Sequence, residues 1–356
     1  MHKRIKYIAI LVLVILCGYG MVQFKTNHSA KEVLREEGIR YYRMAKYEDA
    51  VDCFSLALKQ QESFSDDVDK DIYFYLADGE MKQENYTTAI TYYEKLIELS
   101  ENGVDLYANL GICYEQQEKY DQAYTYFNKA SKCKGASSEV FYQLAEICLL
   151  VNRPEEAKKA ATSGYKLLKK QISKPVQEAM KTGVFKDASK GQITELTQCA
   201  QLAYLSGDYE NAYSYYKILK DTGNETADLY MGHCLAEAGR YDEALNLLLG
   251  YEQEHGEHLL ATTKIAYCYM QQEKYEEALP LIDKALSGNE TALVQELLYE
   301  KGIALEHTGD FDGAFDCFAE YSKDYPEDEQ GKREYDFLVT RISDEKAASA
   351  GVDNGN

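Results

Sequence analysis

A tyrosine placed three residues before an alanine recurs along this chain, and that repetition constrains the fold more than any other feature. KYEDA, NYTTA, KYDQA, DYENA, RYDEA and KYEEA carry the pair, and RPEEA and DFDGA are variants of it. These segments end at Ala50, Ala89, Ala123, Ala212, Ala244 and Ala278, with the variants ending at Ala157 and Ala314. The commonest interval between successive alanines is 34 residues. A period of this length predicts an array of similar supersecondary units that bury their cores against one another.

Each unit also repeats a small residue upstream of its alanine. In the third unit Leu110, Gly111 and Tyr114 lie at i, i+1 and i+4, so they share one face of a helix. The same slot is occupied throughout by glycine or alanine, at Gly38, Ala77, Gly111, Ala145, Ala200, Gly232, Ala266 and Gly302. Glycine inside a helix costs about 1 kcal/mol relative to alanine. Its recurrence therefore predicts a partner helix that approaches too closely for a larger side chain.

This pattern resembles the tetratricopeptide-repeat (TPR) family over roughly residues 31–328. The resemblance divides that range into repeats beginning near Lys31, Lys70, Val104, Ser138, Ile193, Glu225, Leu259 and Gln295. It implies an all-α, right-handed superhelical solenoid of about eight helix pairs. Such arrays use their surface to bind proteins or peptides.

Two breaks in the repeat pattern predict the domain organisation. Repeats one to four cover 31–171, and repeats five to eight cover 193–328. The segment 172–192 between them is predicted to be an inserted helix and a joint. Residues 329–343 are predicted to form a capping helix over the last repeat, which a solenoid requires. The polar residues 344–356 are predicted to be disordered.

The N-terminal segment 1–24 combines a cationic start with an uncharged run, and residues 25–30 then link it to the repeats. Lys3, Arg4 and Lys6 precede the run, which covers residues 7–24. As a helix this run would span about 27 Å, close to the hydrocarbon thickness of a bilayer. We therefore expect a single-pass membrane anchor, and the positive-inside rule places the repeats on the extracytoplasmic side.

Two alternatives to an uncleaved anchor remain open at this end of the chain. Val14 to Cys17 resembles a bacterial lipobox, in which lipid is attached to the cysteine, although Leu16 stands where a small residue is usual. Lipidation at Cys17 would make the protein a lipoprotein. Cleavage after a signal peptide would instead release a secreted form.

The composition excludes several functional classes. A formal net charge of −21 and a pI near 4.8 argue against nucleic-acid binding, which depends on Lys and Arg neutralising phosphates. The sequence has no C-x-x-C, no glycine-rich phosphate loop and no G-x-S-x-G nucleophile elbow. The one compact set of metal-ligand types, between Glu254 and His258, is interpreted as a polar repeat junction. The sequence therefore predicts a non-enzyme with neither metal nor cofactor.

The resemblance implies that the first helix of each repeat lines a concave, partner-binding groove. The positions that transfer to this chain are Asp71, Phe74, Asp78, Asp105, Glu115, Glu139, Tyr142 and Glu146 in the first half, and Tyr204, Tyr267 and Tyr299 in the second. The first half is acidic with aromatic interruptions, and the second is expected to be nearly neutral and apolar. The Lys and Asn that clamp a peptide carboxylate in some members are absent from these positions.

Two functional hypotheses follow from this surface. In the first, the chain is a membrane-tethered scaffold that binds a protein or peptide, rich in Lys or Arg, in the groove. In the second, it is a structural subunit of an envelope or secretion assembly that uses its convex face and its ends. A groove variant would lose the partner only under the first hypothesis.

Overall fold

The computed structural model describes the backbone of residues 30–60, 66–99, 102–288 and 293–352. Within those ranges the chain forms helices and no strand. The predicted all-α solenoid of helix pairs is confirmed. The chain divides into two compact units, with unit 1 ending at Ala160 and unit 2 beginning at Ala161.

Unit 1 contains the first four helix pairs, and its last helix crosses the unit boundary. The helices are α1 (30–43), α2 (Tyr47–Leu58), α3 (Asp66–Lys82), α4 (Tyr86–Glu98), α5 (Val104–Glu115), α6 (Tyr120–Lys132), α7 (Ser138–Leu150) and α8 (Pro154–Leu168). The odd-numbered members are the first helices of their repeats.

Unit 2 begins with a short extra helix and continues with four further pairs and a cap. The helices are α9 (Lys174–Thr182), α10 (Lys190–Leu205), α11 (Tyr209–Lys220), α12 (Ala227–Glu237), α13 (Tyr241–His255), α14 (Leu259–Gln271), α15 (Tyr275–Leu286), α16 (Val294–Thr308), α17 (Phe311–Asp324) and α18 (Glu329–Val352). Here the even-numbered helices from α10 to α16 are the first helices of their repeats.

The small-residue slot is where the two helices of a pair meet. A Cβ added to Gly111 would lie 2.8 Å from the Phe127 ring, and one added to Gly232 would lie 2.6 Å from Leu248. In both pairs the contact residue follows the glycine by sixteen positions, as it does where Gly38 meets Phe54 and Gly302 meets Phe318. The close approach predicted from glycine recurrence is therefore confirmed in both units.

The turn inside each pair places one residue in the left-handed region, two positions before the second helix. Unit 1 uses Ala45, Glu84, Glu118 and Asn152 there, whereas unit 2 uses Gly207, Gly239, Glu273 and Gly309. A non-glycine residue in this conformation carries strain of about 1 kcal/mol. Unit 1 therefore tolerates in every turn a strain that unit 2 mostly avoids.

The C-terminal helix packs on the last pair, because Leu338 is fully buried and the Tyr335 ring stacks 5.3 Å from Phe315. Two observed boundaries differ from those expected from the sequence. Helix α18 continues to Val352, beyond residue 343, so a helix occupies part of the segment predicted to be disordered. The two units divide at residue 160, inside α8, and not after residue 171.

Candidate functional site

The sequence-predicted site residues of unit 1 all lie on first helices. Asp71, Phe74 and Asp78 are on α3, Asp105 and Glu115 on α5, and Glu139, Tyr142 and Glu146 on α7. We call these eight residues the acidic surface. Asp105 and Glu139 are exposed, and the other six are half-buried.

Where α1 meets α3, the chain supplies its own partners for the acidic surface. The Arg35 guanidinium donates through Nε to Asp71 Oδ2 at 2.5 Å, and the Tyr42 hydroxyl donates to Asp78 Oδ2. Burial raises the pKa of Asp78 above its usual range. Both carboxylates therefore have a hydrogen-bond donor from the preceding repeat.

On α5 and α7, by contrast, the charge of one carboxyl group acts on another. Burial raises the pKa of Glu115, and the charge of Glu146 raises it further. Burial also raises the pKa of Glu146, although the Tyr142 hydroxyl donates to its Oε1 at 2.5 Å and opposes the change. Among the described residues no lysine or arginine forms an ion pair with either glutamate. Within the described ranges, the Tyr142 hydroxyl is thus a donor to Glu146, and neither glutamate has a cationic partner.

A pocket of about 390 Å³ lies between α3, α4 and α5 in unit 1. Phe74, Leu96 and Leu106 form much of its apolar lining, and its polar lining is Asp67, Lys70, Asp71, Asn102 and Asp105. Three members of the acidic surface thus border one pocket. Its volume lies within the roughly 300–1,000 Å³ of pockets that hold small ligands or single side chains.

The three predicted tyrosines of unit 2 do not form one site. Tyr204, on α10, has its ring 6.4 Å from that of His233, and burial raises the pKa of its hydroxyl. Tyr267, on α14, has Lys264 Nζ 4.6 Å from its ring centroid. Tyr299, on α16, packs edge-on against Phe318 at 5.6 Å in the capped end of the array. Tyr204 and Tyr267 thus contact His233 and Lys264 respectively, whereas Tyr299 packs in the capped end.

The main polar feature of unit 2 consists of residues that the sequence reasoning missed. Lys264 Nζ donates to Glu237 Oε1 at 2.6 Å, and both side chains are largely buried. Burial raises the pKa of Glu300 to about 7, Glu296 raises it too, and Lys264 opposes the rise. Unit 2 therefore carries ionisable residues on the first helices α12, α14 and α16.

His233 completes this group of buried polar residues. Its Nε2 lies 3.2 Å from the carbonyl oxygen of Leu260, and burial lowers its pKa to about 3. At neutral pH the ring is uncharged, so a proton on Nε2 can be donated to that carbonyl. We call His233, Glu237, Lys264 and Glu300, which are buried or half-buried, the buried polar network. A sequence signal existed, because Lys264 is the one charged residue of α14.

The described residues include candidate metal ligands and eight cysteines. They contain no group of three or more His, Cys, Asp or Glu side chains arranged to hold a metal ion. The eight described cysteines are free thiols, and burial raises the pKa of Cys113, Cys199 and Cys234 to about 12. Such thiols are protonated at neutral pH and are poor nucleophiles.

The predicted membrane segment, residues 7–24, and the predicted lipidation site, Cys17, lie outside the described residues. Among the helices that the structure does describe, none is both long and apolar enough to cross a membrane. The anchor and the lipobox therefore stay predictions.

Comparison with family models identifies repeat families along much of the chain. A tetratricopeptide-repeat model matches residues 35–103 and 263–329. A model for the anaphase-promoting complex, cyclosome, subunit 3 matches residues 82–162 and 206–285. Together with the observed helix pairs, these matches support the tetratricopeptide-repeat assignment. Proteins of that family are generally non-catalytic scaffolds.

The curated relatives are distant and longer. The chain is 25% identical over 289 residues to a TPR repeat-containing protein of Methanocaldococcus jannaschii, covering 76% of this chain and 46% of the relative. It is 30% identical over 112 residues to the transcription factor tau 131 kDa subunit of Saccharomyces cerevisiae, covering 31% of this chain and 11% of that protein. The chain thus spans less than half the length of either relative.

A similar solved structure is a tetratricopeptide repeat protein from Parabacteroides merdae. It has 13% sequence identity and a TM-score of 0.46, over 77% of this chain and 99% of that one.

Proposed function

We propose that this tetratricopeptide-repeat chain is a non-catalytic, membrane-tethered scaffold that binds a Lys/Arg-rich segment of a protein or peptide partner on the acidic surface of unit 1. Residues 7–24 provide the tether, and the repeats lie on the extracytoplasmic side. The partner lies across the first helices of successive repeats.

The observation that carries this proposal is the carboxyl pair Glu115 and Glu146. Like charges at half-buried positions destabilise the fold, and burial and mutual repulsion raise the pKa of Glu115. The first junction of the same unit shows how the chain satisfies such acids internally, with Arg35 on Asp71. A cationic partner would perform the same role at the later junctions.

The test compares binding and stability in one variant. Glu115→Gln with Glu146→Gln removes the repulsion and keeps the side-chain shapes. We expect affinity for a fluorescent Lys/Arg-rich peptide library to fall about 10-fold, while the melting temperature rises. Wild-type binding should also weaken steeply as salt increases, because surface charges are screened.

A matched control removes two exposed glutamates from second helices of unit 2. Glu210→Gln with Glu276→Gln gives the same change in net charge, and both side chains are exposed. This control should alter neither affinity nor melting temperature appreciably. Equal loss of binding in both variants would mean that only net charge matters, and unchanged binding in the first variant would refute the proposal.

The tether is tested separately by fractionation of cells that make the full-length protein. We expect the protein in the membrane fraction, and we expect Cys17→Ala to change neither its size nor its location. If Cys17→Ala abolishes labelling by a lipid precursor or accumulates a larger precursor, the protein is a lipoprotein instead.

A further inference from the structure

We infer that the pocket between α3, α4 and α5 receives a single arginine side chain of the partner, and that it prefers arginine to lysine. This inference rests on the proposed function and specifies one contact of it. It is carried by the charges of the pocket, by its aromatic wall and by the register of the repeats.

One carboxylate at the pocket has no cationic partner among the described residues. Lys70 Nζ lies 4.0 Å from Asp67 Oδ1, and Arg35 holds Asp71. Asp105 is exposed and makes neither a hydrogen bond nor an ion pair with the rest of the described chain. The pocket can therefore accept one positive charge.

The repeat register explains why that carboxylate is unmatched. Asp71 and Asp105 occupy the same position of successive repeats, which begin near Lys70 and Val104. Arg35, which pairs with Asp71, has Phe74 as its counterpart in the next repeat. Asp105 thus faces an aromatic residue where Asp71 has an arginine.

The apolar wall suits the rest of an arginine side chain. The Phe74 ring is fixed edge-on to Tyr93, with centroids 6.2 Å apart and planes at 76°, and Leu96 and Leu106 line the pocket beside it. An aliphatic stem can pack on these side chains while the guanidinium stacks on the ring and binds Asp105.

The chain itself builds such an arrangement elsewhere in unit 1. The Arg153 guanidinium carbon lies 4.2 Å from the Tyr124 ring centroid, and Arg153 Nη1 is 3.3 Å from Glu156 Oε1. There an arginine, an aromatic ring and a carboxylate come together within one chain. The pocket presents the ring and the carboxylate without the arginine.

This chemistry discriminates between the two basic side chains. A guanidinium is planar, stacks on rings and binds a carboxylate through two parallel hydrogen bonds, whereas an ammonium is a strongly hydrated point charge. Any exposed carboxylate gains part of this advantage from arginine. A preference for arginine that depends on Phe74 and Asp105 is therefore the property that separates the pocket from its surroundings.

The experiment measures binding of an oligo-arginine and an oligo-lysine peptide of equal length to the full chain by fluorescence anisotropy. We expect wild type to bind oligo-arginine about 5-fold more tightly. Phe74→Leu, which keeps an apolar side chain in the wall, and Asp105→Asn should each remove most of that preference. Phe315→Leu removes an equally half-buried ring on α17 and should leave the preference intact.

The outcomes separate the two proposals. Equal binding of both peptides to wild type, or a preference that survives Phe74→Leu and Asp105→Asn, overturns the arginine pocket and leaves the proposed function standing. Loss of the preference in those two variants alone supports the pocket. If neither peptide binds wild type, both proposals fail.

Discussion

In both units the first helices of the repeats carry ionisable residues, but the partners of those residues differ. In unit 1 the first helices carry acids that are half-buried or exposed, and Glu115 and Glu146 form no ion pair with a lysine or arginine of the described ranges. In unit 2 the first helices carry Lys264 and Glu237, which satisfy each other. The same type of repeat thus carries acidic side chains that can bind a partner in unit 1, and ionisable side chains that pair with each other in unit 2. We take unit 1 as the binding unit for this reason.

The largest expected change in stability tests the small-residue slot that the two units have in common. Gly111→Leu and Gly232→Leu should each destabilise the full chain by about 3 kcal/mol, because even a Cβ at those positions overlaps the facing side chain. Chemical denaturation followed by circular dichroism measures the change. Gly250→Ala is the control, since no other group lies within 4 Å of an added Cβ there, and it should not destabilise. A normal unfolding curve for either leucine variant would show that the slot is misplaced.

The next prediction contrasts the ion pairs of the two units. Lys264→Met should cost about 2 kcal/mol, because it leaves Glu237 without its partner at a largely buried site. Arg35→Met in unit 1 should cost at most about 1 kcal/mol, since Asp71 is more exposed and water can replace the arginine. The same denaturation measurement gives both values. Equal losses of unfolding free energy in the two variants would mean that the ion pairs of the two units do not differ in this way.

The contribution of Glu300 in unit 2 to the pH dependence of stability gives a smaller effect. The folded-state pKa of Glu300 is about 7 against an ordinary value of 4.5, so the folded chain binds this proton more tightly than the unfolded chain. Its contribution to stability is present below pH 4.5 and is lost as pH rises to 7. Glu300→Gln should therefore stabilise the chain at pH 8 by roughly 1.5 kcal/mol, after allowance for partial exposure. Urea unfolding at pH 5 and pH 8 measures it, and an unchanged pH slope would contradict it.

The packing of the helices could be predicted from the sequence to a large extent. The recurrence of a small residue at the position of Gly111 predicts that the two helices of a pair approach closely, because the contacts between packed helices recur with the period of the sequence. The buried polar network was not predicted from the sequence, because Lys264 and Glu300 each lie one position away from a position that lines the groove in the family. The length of α18 was also missed. Residues 344–350 are polar, yet their Glu, Lys and Ala are good helix formers.

The smallest effect distinguishes the turns of the two units. Gly239→Ala should destabilise the chain by about 1 kcal/mol, because Gly239 has a φ of 75°. Glu118→Gly, at the equivalent turn of unit 1, should stabilise by about 0.5 kcal/mol through release of left-handed strain. Thermal unfolding compares the two, and the same sign for both would mean that the turns are not equivalent.

Hydrogen–deuterium exchange of the full chain with and without a saturating Lys/Arg-rich peptide tests the central claim most directly. Amide protons that gain protection on binding report where the peptide lies. The account predicts slower exchange in α3, α5 and α7 of unit 1 and no change in α12, α14 and α16 of unit 2. Protection centred on the unit 2 helices, or spread equally over both units, would contradict it.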